Sequence, residues 1–186
     1  IGGIANITLI PANLNKAICG FDTGPGNTLL DEWIYEKKQK DFDKDGDWAK
    51  SGLVIPDLLK LMMEDSYIIK QAPKSTGKEY FNLPWLNHLM KDLPKAKPED
   101  IQRTLTEFTC RSISKHIQRI FNNYDDHPFS IYICGGGINN TFLFERLNTL
   151  IPKIEIKSTL DLGIHPQLVE ASAFAWLASR TTRRCR

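Results

Sequence analysis

The stretch Gly20-Phe21-Asp22-Thr23-Gly24-Pro25-Gly26-Asn27 places one carboxylate in a glycine-rich segment between two structured elements. The apolar run from Lys16 to Phe21 predicts a buried strand before it. The residues from Asn27 to Lys38 predict a helix after it, because their apolar positions share one face. A strand, a glycine turn and a helix in this order are typical of α/β proteins, in which ligands bind beyond the carboxyl ends of strands.

Asp22 is the strongest single candidate for a catalytic residue. At the end of a buried strand, its carboxylate can accept a proton from an attacking hydroxyl group or water. The same carboxylate can instead cap the turn or the helix that follows. The local pattern leaves both interpretations open.

Two further glycine-rich turns flank this segment in sequence. In the first, Gly2 and Gly3 can wrap phosphate oxygens through backbone N–H groups, or simply form a hairpin turn. In the second, Cys134-Gly135-Gly136-Gly137, the glycines can let a base or sugar pass close to the backbone, or form a tight strand-to-helix connection. Two phosphate-type turns with an acid between them predict a nucleotide-dependent phosphotransferase.

The remaining periodicities predict an α/β layered domain. A strand is expected over Ile4 to Ile10, a helix over Gly52 to Met63 and a short helix near Asn82 to Met90. The second half alternates helix and strand. Its expected elements are a helix from Pro98 to near Asn123, a strand from Phe129 to Cys134, a helix from Asn139 to Leu150, a strand from Lys153 to Lys157 and a helix from Pro166 to Ser179. The last helix is apolar almost all round, which predicts that it is buried.

Composition excludes some classes of function. With 186 residues, 25% charged residues and a formal net charge of +2, the chain has no bulk electrostatic attraction to nucleic acid or membrane. The basic residues 180 to 186 are expected to be a solvated terminus. No apolar run reaches the roughly 18 residues of a membrane span. Cys19, Cys110, Cys134 and Cys185 lack metal or redox spacing, which favours free thiols in a reducing, cytoplasmic compartment.

Three local patterns have competing interpretations. Lys74 to Lys78 resembles the tail of a P-loop, but Ala72 stands where the first glycine is required, so we expect a loop that could carry cations to a ligand. The acidic run from Asp41 to Gly46 resembles a calcium loop but has Gly52 at its twelfth position instead of glutamate. Glu170 on the apolar last helix predicts a ligand contact or an internal ion pair.

Taken together, the motifs resemble those of the anhydro-N-acetylmuramic acid kinases. The resemblance runs in family order along the whole chain and covers about the C-terminal half of that family. Its most specific segment is Asp22-Thr23-Gly24-Pro25-Gly26-Asn27. The other matching segments are Ile1 to Asn6, Asp43 to Gly46, Pro73 to Gly77, Thr104 to Glu107, Cys134 to Gly137, Leu162 to Ile164, Glu170-Ala171 and Ala173 to Leu177.

The resemblance implies a fold and a domain organisation. The family belongs to the superfamily of actin, hexokinase and Hsp70, whose members bind ATP between two lobes. Residues 1 to 186 would form a single C-terminal lobe with an actin-like, ribonuclease H-like fold, in which helices flank a mixed sheet. The N-terminal lobe would be absent. The chain begins at Ile1 inside a motif, which we interpret as a fragment or processed half of a longer protein.

The resemblance also implies a reaction and the residues that perform it. Asp22 would be the base that activates water to open a 1,6-anhydro sugar, and it would lie close to Mg²⁺. The freed 6-oxygen would take the γ-phosphoryl group of ATP, giving N-acetylmuramic acid 6-phosphate in cell-wall recycling. Glu170 and Lys74 would contact the sugar. The implied nucleotide-binding residues are Gly2, Gly3, Asn6, Gly24, Gly135, Gly136 and Gly137.

Other functions stay open at this point. A kinase for another anhydro sugar, such as levoglucosan, would share these motifs. A non-catalytic nucleotide-binding lobe or an inactive truncated fragment would share them too, although a pure sensor has less need for the base at Asp22. The family resemblance further suggests a homodimer.

Overall fold

The glycine-rich segment forms most of a β-strand. The computed structural model describes residues 1–13, 15–123 and 130–183. Strand β1 (Ile4–Leu9) pairs antiparallel with β2 (Cys19–Pro25), and the register shifts between Ala5 and Asn6. The prediction that the strand ends before Asp22 is wrong, because pairing with β1 continues to Pro25. Asp22 therefore lies within the strand.

The helices of the first half follow the predicted periodicity. The apolar face of α1 is buried as expected, and Asn82 caps α5 by accepting a hydrogen bond from the Trp85 N–H. The expected helix from Gly52 to Met63 is shorter, because it begins with a proline at its first turn. The helices are α1 (Thr28–Lys38), α2 (Asp47–Ser51), α3 (Pro56–Met63), α4 (Ser66–Ile69) and α5 (Leu83–Met90).

One long helix, α6 (Pro98–Asn123), forms the centre of the molecule. It contacts β2 and four helices: α1, α2, α3 and the later α7 (Thr141–Leu150). It buries polar as well as apolar side chains, among them Gln102, Glu107 and His116. Glu107 is paired with Arg111 and Arg146, whereas the Gln102 amide and His116 Nε2 have no hydrogen-bond partner among the described residues.

A second, parallel strand pair lies beyond α6. Strand β3 (Ile131–Ile133) pairs with β4 (Ile156–Ser158), and α7 connects them. The expected β3 was longer, and its Phe129 lies outside the described residues, as does the end of the basic tail after Arg183. The mixed α/β class is confirmed. Instead of the one expected mixed sheet, the described residues form two separate two-stranded sheets flanked by helices.

The last helix, α8 (Val169–Thr182), is not buried by the described residues. Phe174 is 70% exposed, Trp176 59% and Leu177 51%. The prediction of a buried helix is therefore wrong for this part of the chain. An all-round apolar pattern indicates that protein encloses a helix, but among the described residues α8 packs chiefly on the short 3₁₀ turn Pro166–Leu168. No described helix is both long and apolar enough to cross a membrane.

Candidate active site

The Asp22 carboxylate is held by three hydrogen-bond donors. Its Oδ1 accepts from Asn6 Nδ2 at 2.9 Å. Its Oδ2 accepts from Ser75 Oγ and from the Thr76 N–H, each at 2.9 Å. None of these donors belongs to the following turn or to α1, whose cap residue Asn27 makes no side-chain cap bond. The capping interpretation of Asp22 is therefore not supported.

These donors lower the pKa of Asp22. Partial burial raises the pKa of its carboxyl group, but the hydrogen bonds from Asn6, Thr76 and Ser75 outweigh burial and hold the pKa below its ordinary value. Asp22 is therefore ionised near neutral pH. Burial and the charge of Asp22 together raise the pKa of Tyr67 to about 12, so its hydroxyl remains a donor.

The backbone of Asp22 is fixed as well. Its N–H donates to the Lys74 carbonyl at 3.1 Å, and its carbonyl accepts from Tyr67 Oη at 2.9 Å. Lys74 Nζ in turn donates to the Tyr67 carbonyl at 2.9 Å. These three bonds close a ring of contacts through Asp22, Lys74 and Tyr67. The ring attaches the loop around Lys74 to the middle of β2.

The Gly2–Gly3 turn is packed against the start of α1. The Gly2 carbonyl accepts from the Asn27 N–H at 2.8 Å, and the Gly3 carbonyl accepts from Gly26 at 2.8 Å and from Thr28 at 3.1 Å. A side chain on Gly26 would lie 2.3 Å from the Gly2 oxygen. Glycine at position 26 is therefore required for the close approach of the two segments.

Two polar groups lie beside Gly3 that the sequence motifs did not identify. A Cβ on Gly3 would meet Thr28 Oγ1 at 2.7 Å and Lys78 Cε at 2.8 Å. The Thr28 hydroxyl is buried and finds no hydrogen-bond partner in the described part of the chain, whereas Lys78 is exposed. The loop from Lys74 to Lys78, expected to carry cations towards a ligand, does bring one to this turn. For Lys78, the spacing of lysines in this loop was the one sequence pattern that pointed to the site. No sequence pattern pointed to Thr28.

The third turn meets the first two. Gly135 has φ +84°, and a Cβ there would lie 2.5 Å from the Ile1 carbonyl oxygen. The Gly137 N–H donates to that oxygen at 3.0 Å. Gly136 has open space, with Asn27 Nδ2 as its nearest atom at 3.9 Å from a built Cβ. All three glycine turns thus converge around Ile1 and Asn27.

The other predicted site residues lie in different surroundings. Lys74 is 6% exposed, and burial together with Lys115 and Lys70 lowers its pKa to about 8. Gly24, at φ +153°, packs against Ile68 and Ser112. Glu170 is exposed in the first turn of α8 and not buried as expected. The Gly135 N–H donates to the Pro166 carbonyl at 3.0 Å, so the short turn before α8 lies against the third glycine turn, and Glu170 follows it in the first turn of α8.

The acidic loop before α2 is structural. Asp43 accepts hydrogen bonds from the Trp48 and Ala49 N–H groups at 3.0 and 2.9 Å. The described ranges contain no group of three or more His, Cys, Asp or Glu side chains arranged to hold a metal ion.

Fold and site together define a mixed α/β protein in which three glycine turns meet at one end of the strand pair that holds an ionised carboxylate. Comparison with known proteins gives the family. The family model for anhydro-N-acetylmuramic acid kinase matches residues 1–185, and the chain belongs to this family.

Curated relatives agree with this assignment. Proteins named anhydro-N-acetylmuramic acid kinase from Pseudomonas fluorescens and Pasteurella multocida are 43% and 45% identical, over 96% of this chain and 47% and 46% of their own length. The relative of that name from Shewanella loihica is 46% identical over 97% of this chain and 47% of its own length. The chain therefore spans about half the length of the curated relatives it matches.

Proposed function

We propose that this chain supplies the catalytic C-terminal lobe of an ATP-dependent anhydro-N-acetylmuramic acid kinase with an actin-like, ribonuclease H-like fold. One observation carries the proposal: three glycine turns converge at the start of the strand pair that holds the ionised Asp22. The names of the curated relatives support the choice of sugar. The product, N-acetylmuramic acid 6-phosphate, would enter cell-wall recycling in the cytoplasm, where ATP is available.

The proposed chemistry requires one base and an oriented nucleophile. Asp22 accepts a proton from water as the water oxygen bonds to the anomeric carbon. The bond from that carbon to the bridging 6-oxygen breaks, and the 6-oxygen attacks the γ-phosphorus of ATP. The bond from the γ-phosphorus to the β–γ bridging oxygen then breaks and ADP leaves. Phosphoryl transfer depends mainly on positioning and charge stabilisation. The glycine turns would position the nucleotide and Lys78 would supply positive charge, because the N–H groups of Gly2, Gly135 and Gly137 already donate to the carbonyls of Ile4, Pro166 and Ile1.

The glycine turns would bind the nucleotide. Gly2 and Gly3 would face the phosphates, with the Lys78 ammonium and the buried Thr28 hydroxyl beside them. The turn from Gly135 to Gly137 would take the adenosine, and Gly136 is its open position. Gly24 would contribute by shaping β2, and Asn6 by its contact with Asp22.

The metal requirement follows from the phosphates. Mg²⁺ would neutralise charge on the transferred group and is bound in such sites by phosphate oxygens and water, with one or two carboxylates. Asp22 would act on the metal indirectly, as an ionised carboxylate close to it and not as a ligand, because the lone pair that remains open on Oδ1 is needed for the proton from water.

Sugar recognition would involve Glu170 and, indirectly, Lys74. Glu170 is exposed at the start of α8, just after the turn that contacts Gly135, and its carboxylate can accept hydrogen bonds from sugar hydroxyls. The Lys74 ammonium is committed to the Tyr67 carbonyl, so Lys74 would act on the sugar site through the loop that it anchors.

We further propose that a second, N-terminal lobe covers α8 in the complete enzyme. Phe174, Trp176 and Leu177 expose a large apolar surface, and the curated relatives are about twice as long as this chain. Large contiguous apolar patches on a protein surface mark interaction sites. A homodimer is the competing occupant, and measuring the mass of a two-lobed protein before and after substitution of Trp176 distinguishes them.

The test of function joins this chain to the part of the Pasteurella multocida relative that it does not match. The joined protein is incubated with ATP, Mg²⁺ and 1,6-anhydro-N-acetylmuramic acid, with levoglucosan in a parallel reaction. We expect a product heavier than the sugar by one phosphate and one water. A phosphate without water would indicate an ordinary sugar kinase, and product from levoglucosan alone would indicate a different anhydro sugar. Bound ATP without any product would indicate a nucleotide-binding lobe without catalysis.

A further inference from the structure

An irregularity in the first strand pair turns Asp22 towards Asn6. Ala5 lies opposite Gly24, but the next residue, Asn6, lies opposite Asp22, so Thr23 is an extra residue in β2. Thr23 is buried and its hydroxyl donates to the Ala5 carbonyl at 3.1 Å. A bulge of this kind redirects the side chains next to it. Here it leaves the Asn6 amide and the Asp22 carboxylate in contact.

The loop on the other side completes the arrangement. The contacts that join Asp22, Lys74 and Tyr67 hold the two residues after Lys74 against Asp22 Oδ2. Ser75 Oγ and the Thr76 N–H both donate to that oxygen, whereas Oδ1 accepts from Asn6 alone among the residues that the structure describes. A carboxylate oxygen can accept two hydrogen bonds, so Oδ1 keeps a free lone pair and Oδ2 does not.

We propose that Asn6 and Ser75 are positioning residues that orient Asp22 so that Oδ1 receives the proton from water. This inference rests on the proposed function of Asp22 as the base. The donors have two effects: they fix the direction of the free lone pair, and they lower the pKa of the carboxyl group. Loss of one donor therefore lowers kcat by misorientation and raises the pKa of Asp22. Neither effect requires a change in ATP binding.

The first arm of the test measures the pKa of Asp22 in this chain by carbon NMR of the carboxyl group. Ser75→Ala and Asn6→Ala should each raise this pKa, and Ser75→Thr, which keeps the hydroxyl, should restore it. Ser51→Ala is the control, because the Ser51 hydroxyl donates to the Trp48 carbonyl outside the site. An unchanged pKa in Ser75→Ala and Asn6→Ala would overturn the inference.

The second arm measures kcat and KM of the two-lobed kinase against pH. In Ser75→Ala we expect kcat to fall about 10- to 100-fold, which is the usual consequence of a misplaced catalytic group, with KM for ATP unchanged. The acid limb of the kcat profile should move to higher pH. A rise in KM at constant kcat would contradict a positioning role. If the unsubstituted protein makes no product, the proposed function has failed, and the NMR result alone decides whether Ser75 and Asn6 control Asp22.

Discussion

His116 should make the stability of the protein depend on pH in a defined window. The residue is 3% exposed, and its ring contacts Phe21 edge-on at 5.2 Å between centroids. Within the described ranges its Nε2 has no hydrogen-bond partner. Burial, together with the positive charges of Lys74, Lys115 and Arg119, lowers the pKa of His116 to about 4 from 6.5. The folded protein therefore holds His116 neutral, next to the residue that precedes Asp22.

The size of the effect follows from proton linkage. Because the unfolded chain binds a proton at His116 more readily than the folded protein does, unfolding is favoured as pH falls below about 6.5. Each pKa unit corresponds to about 1.4 kcal/mol. Above pH 7, His116 is neutral in both states and causes no loss of stability. By pH 4, its preference for the proton in the unfolded chain should lower the free energy of unfolding by about 3 kcal/mol. Asp31, whose burial raises its pKa to about 6, opposes this loss over the same range.

The assay compares urea unfolding of the original chain and His116→Leu at intervals between pH 7.5 and pH 4. Subtracting the two curves cancels the contribution of Asp31. We expect the difference in free energy of unfolding to change by about 3 kcal/mol in favour of His116→Leu as pH falls. His88→Gln is the control, because His88 is exposed and meets solvent in both states. Parallel pH profiles for the original chain and His116→Leu would refute the reasoning.

Three further predictions concern packing. Gly26→Ala should destabilise the folded protein by about 1–3 kcal/mol because the added Cβ meets the Gly2 oxygen, whereas the Cβ of Gly136→Ala has room. Urea unfolding of both variants checks this, and equal stabilities would contradict it. Glu107→Gln should lower the free energy of unfolding by about 2 kcal/mol, because the 2%-exposed carboxylate accepts hydrogen bonds from Arg111 and Arg146 at 2.6 Å each. Glu145→Gln is the control because Glu145 is exposed, and an equal loss of stability there would contradict the prediction. Trp176→Ser should reduce self-association of this chain in light scattering, and unchanged association would show that α8 is not the contact surface.

Local sequence patterns predicted the helices well because the determinants of those helices are local. The period of apolar residues located the buried face of α1, and the Pro98-Glu99-Asp100 start located α6. The glycine turns were also found from sequence, although their meeting at Ile1 and Asn27 was not. The assignment of Asp22 as a base stays a prediction.

The remaining features depend on residues distant in sequence. Ser75 donates to Asp22 across 53 positions, and no local pattern signals such a bond. The end of β2 was placed too early because pairing with β1, and not the glycine content, determines how far the strand continues. The burial of α8 was inferred from its composition, but burial depends on neighbouring protein that the described residues do not supply.

The most direct test of the account is Asp22→Asn in the two-lobed protein, measuring product formation and ATP binding on the same folded sample. Asparagine has nearly the same shape but cannot accept the proton from water. We predict that turnover is abolished while the Kd for ATP changes by no more than a few-fold. Turnover close to that of the unsubstituted protein would contradict the assignment of Asp22 as the catalytic base.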